Sequence, residues 1–220
     1  MSLRAAIRAN VTASRAAVAT PPDREGARSS ARKYFALACR LLRPAPPVLV
    51  GIGGLSGTGK SRLAAALAPE LAPAPGAIVL RSDVERKALA GRREDERLPP
   101  EAYAAESTAR VYATLVEKAL RVVAAGHSAV IDAVFARPQE RDALRDATRA
   151  RGVTFHGLFL TADMATRMAR VASRRGDASD ADGAVARAQE RYLLGHNDWR
   201  SIDASGAPES TLAQAHELVA

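Results

Sequence analysis

Five short apolar runs punctuate the chain, and between them apolar residues recur every three to four positions. The runs are Val48 to Ile52, Ala77 to Arg81, Ser128 to Val134, Val153 to Leu160 and Trp199 to Ala204. The first four are largely apolar, as strands buried on both faces are, and Trp199 to Ala204, more polar, is a candidate fifth strand. The intervening stretches read as helices. Arg62 to Leu71 places Leu63, Leu67 and Leu71 on one face, and Ala104 to Ala125 does the same with Val111, Leu115, Ala119 and Val122 before Gly126 ends it. A helix begins at Ser82-Asp83, Pro138 to Arg151 and Asp163 to Arg175 read as two more, and Thr211 to Ala220 closes the chain. Ser179 and Asp182 have the spacing of a capping box for a helix reaching Leu194. Strands alternating with helices predict an α/β fold, a five-stranded parallel sheet in the order 2-3-1-4-5 with helices on both faces.

The first 47 residues stand apart from this alternation. Leu3, Ile7, Val11 and Val18 form a helical stripe, and Thr20 to Ser30 is rich in Pro, Gly and Ser, which predicts a break. A second helix, capped by Ser29 or Ser30 and lined by Tyr34, Phe35, Ala38, Leu41 and Leu42, stops at Pro44 and Pro46-Pro47. Residues 1–47 are therefore expected to be a helical extension that packs on the main domain, residues 48–220, or that once joined another domain. The charged stretch Gly91 to Pro100 is expected to be a mobile surface segment.

Composition narrows this picture. With 220 residues and 47% hydrophobic content, the chain can bury the core of one domain. No apolar run approaches a membrane span and no signal core is visible at the N-terminus, so a cytoplasmic location is expected. The single cysteine, Cys39, excludes an intramolecular disulfide, and His127, His156, His196 and His216 show no metal-ligand spacing. The formal charge of +8 is carried mostly by arginine. It suits polyanions or phosphorylated ligands, but the stronger reading is a compositional bias in which much of the arginine is solvated helix surface. Aromatic residues are few and not interleaved with a basic stripe, which disfavours nucleic-acid recognition.

The most specific stretch lies between the first strand and the next helix. Gly54-Leu55-Ser56-Gly57-Thr58-Gly59-Lys60-Ser61 fills every fixed position of the phosphate-binding loop G-x-x-x-x-G-K-S. Glycines bring backbone N–H groups close to phosphate oxygens, and the helix beginning beside Lys60 adds its positive end. Lys60 would reach the β- and γ-phosphates of ATP, and the Ser61 hydroxyl would ligate Mg²⁺.

Phosphoryl transfer also needs a group to orient or deprotonate the acceptor, and cations for the developing charge. Asp83, at the C-terminal edge of the second strand, lies in the crevice where parallel sheets bind ligands. It can serve as the acceptor's base or simply cap the helix that follows. Arg86, three residues on, shares its helical face and would hold substrate. Asp132 closes the third strand as a Mg²⁺-holding acid does, or hydrogen-bonds the loop. Arg170 and Arg174 share one face of their helix before a Gly-Asp turn, as a lid would.

Gly54 to Ser61, Arg81 to Lys87, Val130 to Phe135, and Arg170 through Asp177-Ala178-Ser179-Asp180-Ala181 together resemble the AAA-type predicted kinases of bacteria. The resemblance covers about Pro47 to Ala215. It implies kinship with polynucleotide 5′-hydroxyl kinases, zeta toxins and chloramphenicol phosphotransferases, and hence a P-loop kinase fold. Carried over, it implies Asp83 as general base, Arg86 as substrate-binding, and Arg170 and Arg174 as lid cations. Domains of this group are often fused behind an aminoglycoside-phosphotransferase-like domain, so residues 1–47 would be the remnant of such a partner. The expected activity is Mg²⁺-ATP-dependent transfer of the γ-phosphate to a small-molecule hydroxyl. The alternatives are a kinase of nucleic-acid 5′ ends and an ATP-binding regulatory module without catalysis.

Overall fold

The computed structural model describes residues 1–173 and 178–219. It divides into two compact units, Met1–Ala45 and Pro46–Ala220.

The first unit is a helical hairpin of α1 (Ser2–Val18) and α2 (Pro21–Leu42). Its seam is made of small residues: Ala5, Ala9 and Ala16 from α1, with Ala31 and Ala38 from α2, are buried. Ser2 Oγ crosses the seam to the Ala38 carbonyl at 3.0 Å. The large side chains of α1, Leu3, Ile7, Val11 and Val18, are exposed. The break predicted over Thr20 to Ser30 is absent, because α2 starts at Pro21 and runs straight through Ser29 and Ser30. Two prolines occupy the first turn, where no backbone N–H is needed, and Thr20 Oγ1 donates to Asp23 at 2.7 Å.

In the second unit β1 (Val48–Gly54), β2 (Ile78–Arg81), β3 (Ala129–Asp132), β4 (Thr154–Thr161) and β5 (Arg200–Asp203) form one all-parallel sheet in the order β2-β3-β1-β4-β5. The predicted order is the observed one. Alternate residues of the central strands feed two cores. Val50, Ile52, Val130, Leu158 and Leu160 pack with Leu63, Ala64 and Leu67 of α3 (Lys60–Leu67) and Ala215 of α9 (Pro208–Val219). Leu49, Ile131 and Phe159 pack on the other face with α5 (Ala105–Ala124) and with Leu144 of α6 (Pro138–Arg149).

That second core includes Trp199, which lies across two glycines of neighbouring strands. A Cβ at Gly157 would come within 2.5 Å of the indole, and one at Gly51 within 2.6 Å. Gly157→Ala is therefore expected to cost about 1–3 kcal/mol by overpacking, read as a drop in melting temperature of about 2–4 °C per kcal/mol.

The remaining helices are α4 (Ser82–Leu89), α7 (Met164–Ala172) and α8 (Gly183–Ala188). Two expectations fail among them. The helix expected to reach Leu194 is only α8 plus a 3₁₀ turn over Gln189–Arg191, and Asp182 caps it alone, accepting from the Ala184 and Val185 N–H groups at 3.0 Å each. The stretch Gly91 to Pro100 is tied down rather than loose. Lys87 Nζ donates to the Glu94 carbonyl at 2.8 Å, Leu98 is buried, and its N–H donates to Asp180 at 2.9 Å. Among the described residues no helix is long and apolar enough to cross a membrane.

Candidate active site

The phosphate loop connects the end of β1 to the start of α3 at the C-terminal edge of the sheet. Gly54, Gly57 and Gly59 take φ values of 137°, 88° and 96°. A Cβ at Gly54 would meet the Leu160 carbonyl at 2.5 Å, and one at Gly57 the Arg167 carbonyl at 2.5 Å. Both conformation and space thus demand glycine at these two positions. Gly59 occupies the N-cap of α3, where no side chain caps the helix and its first turn holds no acid. The helix therefore presents its N–H groups and positive end to an anion without a built-in competitor. Lys60 Nζ lies back along the loop, 3.0 Å from the Leu55 carbonyl, which also accepts from Thr58 Oγ1 at 2.9 Å.

Beside the loop, Ser61 Oγ donates to Asp132 Oδ2 at 2.5 Å. Sheet register puts Arg81 opposite Asp132, and its Nε lies 3.5 Å from the same oxygen. Burial pushes the Asp132 carboxyl above its usual range, while Lys60, the Ser61 hydroxyl and Arg81 pull it back and Asp83 pushes it further up. A hydroxyl and a carboxylate side by side are hard oxygen donors of the sort Mg²⁺ takes, and the two residues together would hold that ion next to the phosphates.

Asp83 is the second residue of α4, immediately after β2. Its charge bears on Asp132, Tyr103 and Tyr112, adding to the upward push that burial gives each of these groups. The N-cap of α4 is Arg81, without a side-chain capping bond, so the capping role left open for Asp83 by the sequence is not taken up. Arg86, one turn further on, is 8% exposed. Its Nη1 donates to the Ala102 carbonyl at 2.7 Å and to Thr108 Oγ1 at 3.2 Å, and the guanidinium sits 4.9 Å from the centre of the Tyr103 ring.

On the other side, Arg170 of α7 reaches the loop. Its Nη1 lies 3.4 Å from the Thr58 carbonyl and its Nη2 3.2 Å from the Gly206 carbonyl. It lines a cleft of about 490 Å³ whose floor is the loop and α3 and whose far wall is the start of α9, including Pro208, Thr211 and Leu212. Arg174, its expected lid partner, and the turn through Asp177 lie outside the described residues.

Sequence reasoning missed the two residues that hold the tip of the loop. Arg167 is 2% exposed, with Nε 2.9 Å from the Ser56 carbonyl, Nη2 3.1 Å from the Ala186 carbonyl and Nη1 paired with Glu190. Gln189 Oε1 accepts from the Ser56 N–H at 2.7 Å. Both backbone polar groups of Ser56 are thus held by side chains from the segment that follows β4. Arg167 carries a weak signal, lying three residues before Arg170. Gln189 carries none, since its partner is 133 positions away. Gln189→Leu is expected to weaken ATP binding roughly 5- to 20-fold, because a buried N–H left unpaired lets the loop relax. Gln189→Glu keeps an acceptor and should restore most of the affinity; calorimetric titration of both variants checks this.

The segment after α7 is also fastened to α4 and to the stretch that follows it. Asp180 pairs with Lys87 at 3.0 Å and accepts from the Tyr103 hydroxyl at 2.7 Å, and Asp182 pairs with Arg97 at 3.0 Å.

A family profile described as an AAA domain matches residues 49–194, from β1 through the strap. The chain belongs to the AAA domain family. Over 99% of its length it is 28% identical to Uncharacterized protein Rv2004c of Mycobacterium tuberculosis, and to a Mycobacterium bovis counterpart at the same level. The chain spans 43% of the length of these curated relatives. Among solved structures this AAA domain is similar to a sugar kinase from Janibacter sp. (TM-score 0.56, 22% identity, 79% of this chain and 95% of that one). It is also similar to the APS kinase CysC of Mycobacterium tuberculosis bound to AMPPNP and APS (TM-score 0.56, 21% identity, 80% and 97%). A gluconokinase from Sinorhizobium meliloti matches with TM-score 0.51 and 20% identity, over 80% and 95%. These likenesses show the fold, a P-loop kinase arrangement of five parallel strands with helices.

Proposed function

We propose that this AAA domain is a phosphotransferase that moves the γ-phosphate of ATP to a hydroxyl of a small molecule, with Asp83 as general base. The observation that carries the reading is the arrangement around the loop. A carboxylate with no capping duty follows β2, which pairs with the strand that ends in Asp132 of the Ser61–Asp132 pair, and stands one helical turn before a buried arginine. In the reaction Asp83 would accept the hydroxyl proton as the acceptor oxygen bonds to the γ-phosphorus and the bond to the β-phosphate oxygen breaks, releasing ADP. Lys60, the N–H groups at the start of α3 and Arg170 would hold the triphosphate. Bound Mg²⁺ would neutralise phosphate charge, held through Ser61 and Asp132.

Two other readings predict different results. A polynucleotide 5′-hydroxyl kinase needs a basic acceptor side. Residues 1–45 hold nine basic and two acidic residues, however, whereas residues 46–220 hold 23 and 22. The catalytic unit is close to neutral, which favours a small acceptor. A regulatory ATP-binding module needs no acceptor-side base. A domain resembling a phosphotransferase is proposed to accompany the chain, a place that the additional length of the curated relatives would accommodate.

The deciding experiment is a γ-phosphate transfer screen of the purified protein against sugars, sugar acids, nucleosides, aminoglycosides, chloramphenicol and 5′-hydroxyl oligonucleotides. Transfer to a small hydroxyl compound, insensitive to salt, is expected. Preference for oligonucleotides with steep salt dependence would move the assignment to the polynucleotide reading, and nucleotide binding without any transfer would favour the regulatory one.

A further inference from the structure

Arg81 stands where a metal ion would be held. It ends β2, in register with Asp132, which ends β3. Neighbouring strands run about 4.8 Å apart and residues in register send their side chains to one face, so the sheet itself sets the two together. The guanidinium spans both oxygens assigned to the metal. Its Nε lies 3.5 Å from Asp132 Oδ2, and its Nη2 lies 3.4 Å from Ser61 Oγ. Ser61 Oγ in turn donates its own proton to Asp132 Oδ2 at 2.5 Å. A hydroxyl lone pair that faces an N–H is not offered to a cation at the same time.

Two cations thus serve the Asp132 carboxylate, Lys60 through its field and Arg81 by contact. Sites that take a divalent cation from solution unaided gather several carboxylates. Among the described residues no cluster of three or more His, Cys, Asp or Glu side chains could hold an ion. The two cations differ in what a nucleotide does to them. Lys60 has the phosphates as its own partners, whereas Arg81 and a divalent ion repel each other at this range and compete for the same oxygens. The Arg81 side chain is 26% exposed, so its long stem can swing the guanidinium towards solvent. That of Arg167, which braces the loop tip, is 3% exposed and locked.

We propose that Arg81 is an exchangeable counter-ion of the Ser61–Asp132 pair, one that keeps a divalent cation off the nucleotide-free protein and gives way when the triphosphate brings the metal in. This rests on the reading of Ser61 and Asp132 as metal holders, and not on whether a hydroxyl is phosphorylated. Without nucleotide, the guanidinium keeps a buried carboxylate partnered, so the pair is preformed in the absence of metal. Once the phosphates sit on the loop, their negative charge outweighs the single charge of Arg81, and the divalent ion takes the shared oxygens.

Mn²⁺ is the probe, its free fraction read by electron paramagnetic resonance. It is titrated into the protein alone and into the protein carrying one equivalent of AMPPNP. The nucleotide-free wild type is expected to bind Mn²⁺ at least about 100-fold more weakly than the AMPPNP complex. Arg81→Met keeps the stem and removes the charge. It should tighten nucleotide-free binding about tenfold and change binding in the AMPPNP complex by no more than about twofold. Adding Asp132→Asn to Arg81→Met should cancel the gain, which places the ion on the pair.

A nucleotide-free wild type that binds Mn²⁺ as tightly as the AMPPNP complex overturns the proposal, and that arm needs no variant. An unchanged affinity in nucleotide-free Arg81→Met, or a gain that survives Asp132→Asn, takes the role away from Arg81. Arg81→Gln repeats the measurement if Arg81→Met folds poorly. A gain of equal size in the AMPPNP complex means that the guanidinium stays in place, and removes the exchange. Mn²⁺ bound in no state removes the metal reading of Ser61 and Asp132 and this proposal with it. Absence of transfer to any acceptor, with the Mn²⁺ results as expected, counts against the phosphotransferase and leaves the exchange standing.

Discussion

Replacing Asp83 by asparagine is expected to slow phosphoryl transfer by about 10²- to 10⁴-fold while ATP affinity stays within a few fold of wild type. Asparagine keeps the size and polarity of the side chain and removes its capacity to take a proton. Asp83 caps no helix, so the substitution should cost little stability. Removing its charge also relieves the repulsion that pushes the Asp132 carboxyl upward, so metal-supported nucleotide binding should if anything improve. Single-turnover transfer to an acceptor from the screen, beside calorimetric ATP titration, separates the two effects. A mutant as fast as wild type would remove Asp83 from the chemistry.

The second large effect is expected at Lys60. Lys60→Ala should weaken ATP binding roughly 10- to 100-fold, since a hydrogen bond to a charged group is worth about 1.5–3 kcal/mol. AMP affinity should barely change, because the ammonium is positioned for the β- and γ-phosphates. Stability should hold, because Lys60 is the first residue of α3 and alanine is the best helix former. An ATP affinity within twofold of wild type would count against the loop as the triphosphate site, and an equal loss for AMP would point to a general collapse of the loop.

The strand order and the loop were legible from sequence because each rests on local pattern. Strands buried on both faces, such as Leu49 to Ile52, show as unbroken apolar runs, and the loop's glycines stand where the backbone has no alternative. Errors arose where one residue type serves two purposes. Pro21 and Pro22 suggested a break, yet they suit a helix's first turn. The charged segment Gly91 to Pro100 suggested mobility, yet Asp180, more than 80 positions later, fastens it through the Leu98 N–H. Among the arginines, sequence singled out Arg170 for its spacing, whereas Arg167 is the one buried against Ser56. What distinguishes them is the partner each finds in the folded chain, and no local spacing encodes that.

The grip of Arg167 and Gln189 on Ser56 bears on how this motif can be moved between proteins. An eight-residue phosphate loop looks like a portable cassette, a turn to be grafted between any strand and helix. Here its tip borrows two anchors from more than a hundred residues downstream, and Gly57 has no side chain because the backbone of α7 occupies the space. A transplant limited to Gly54–Ser61 would carry the glycines, the lysine and the serine but leave the tip unbraced. Function should follow only if α7 and the turn bearing Gln189 travel with it.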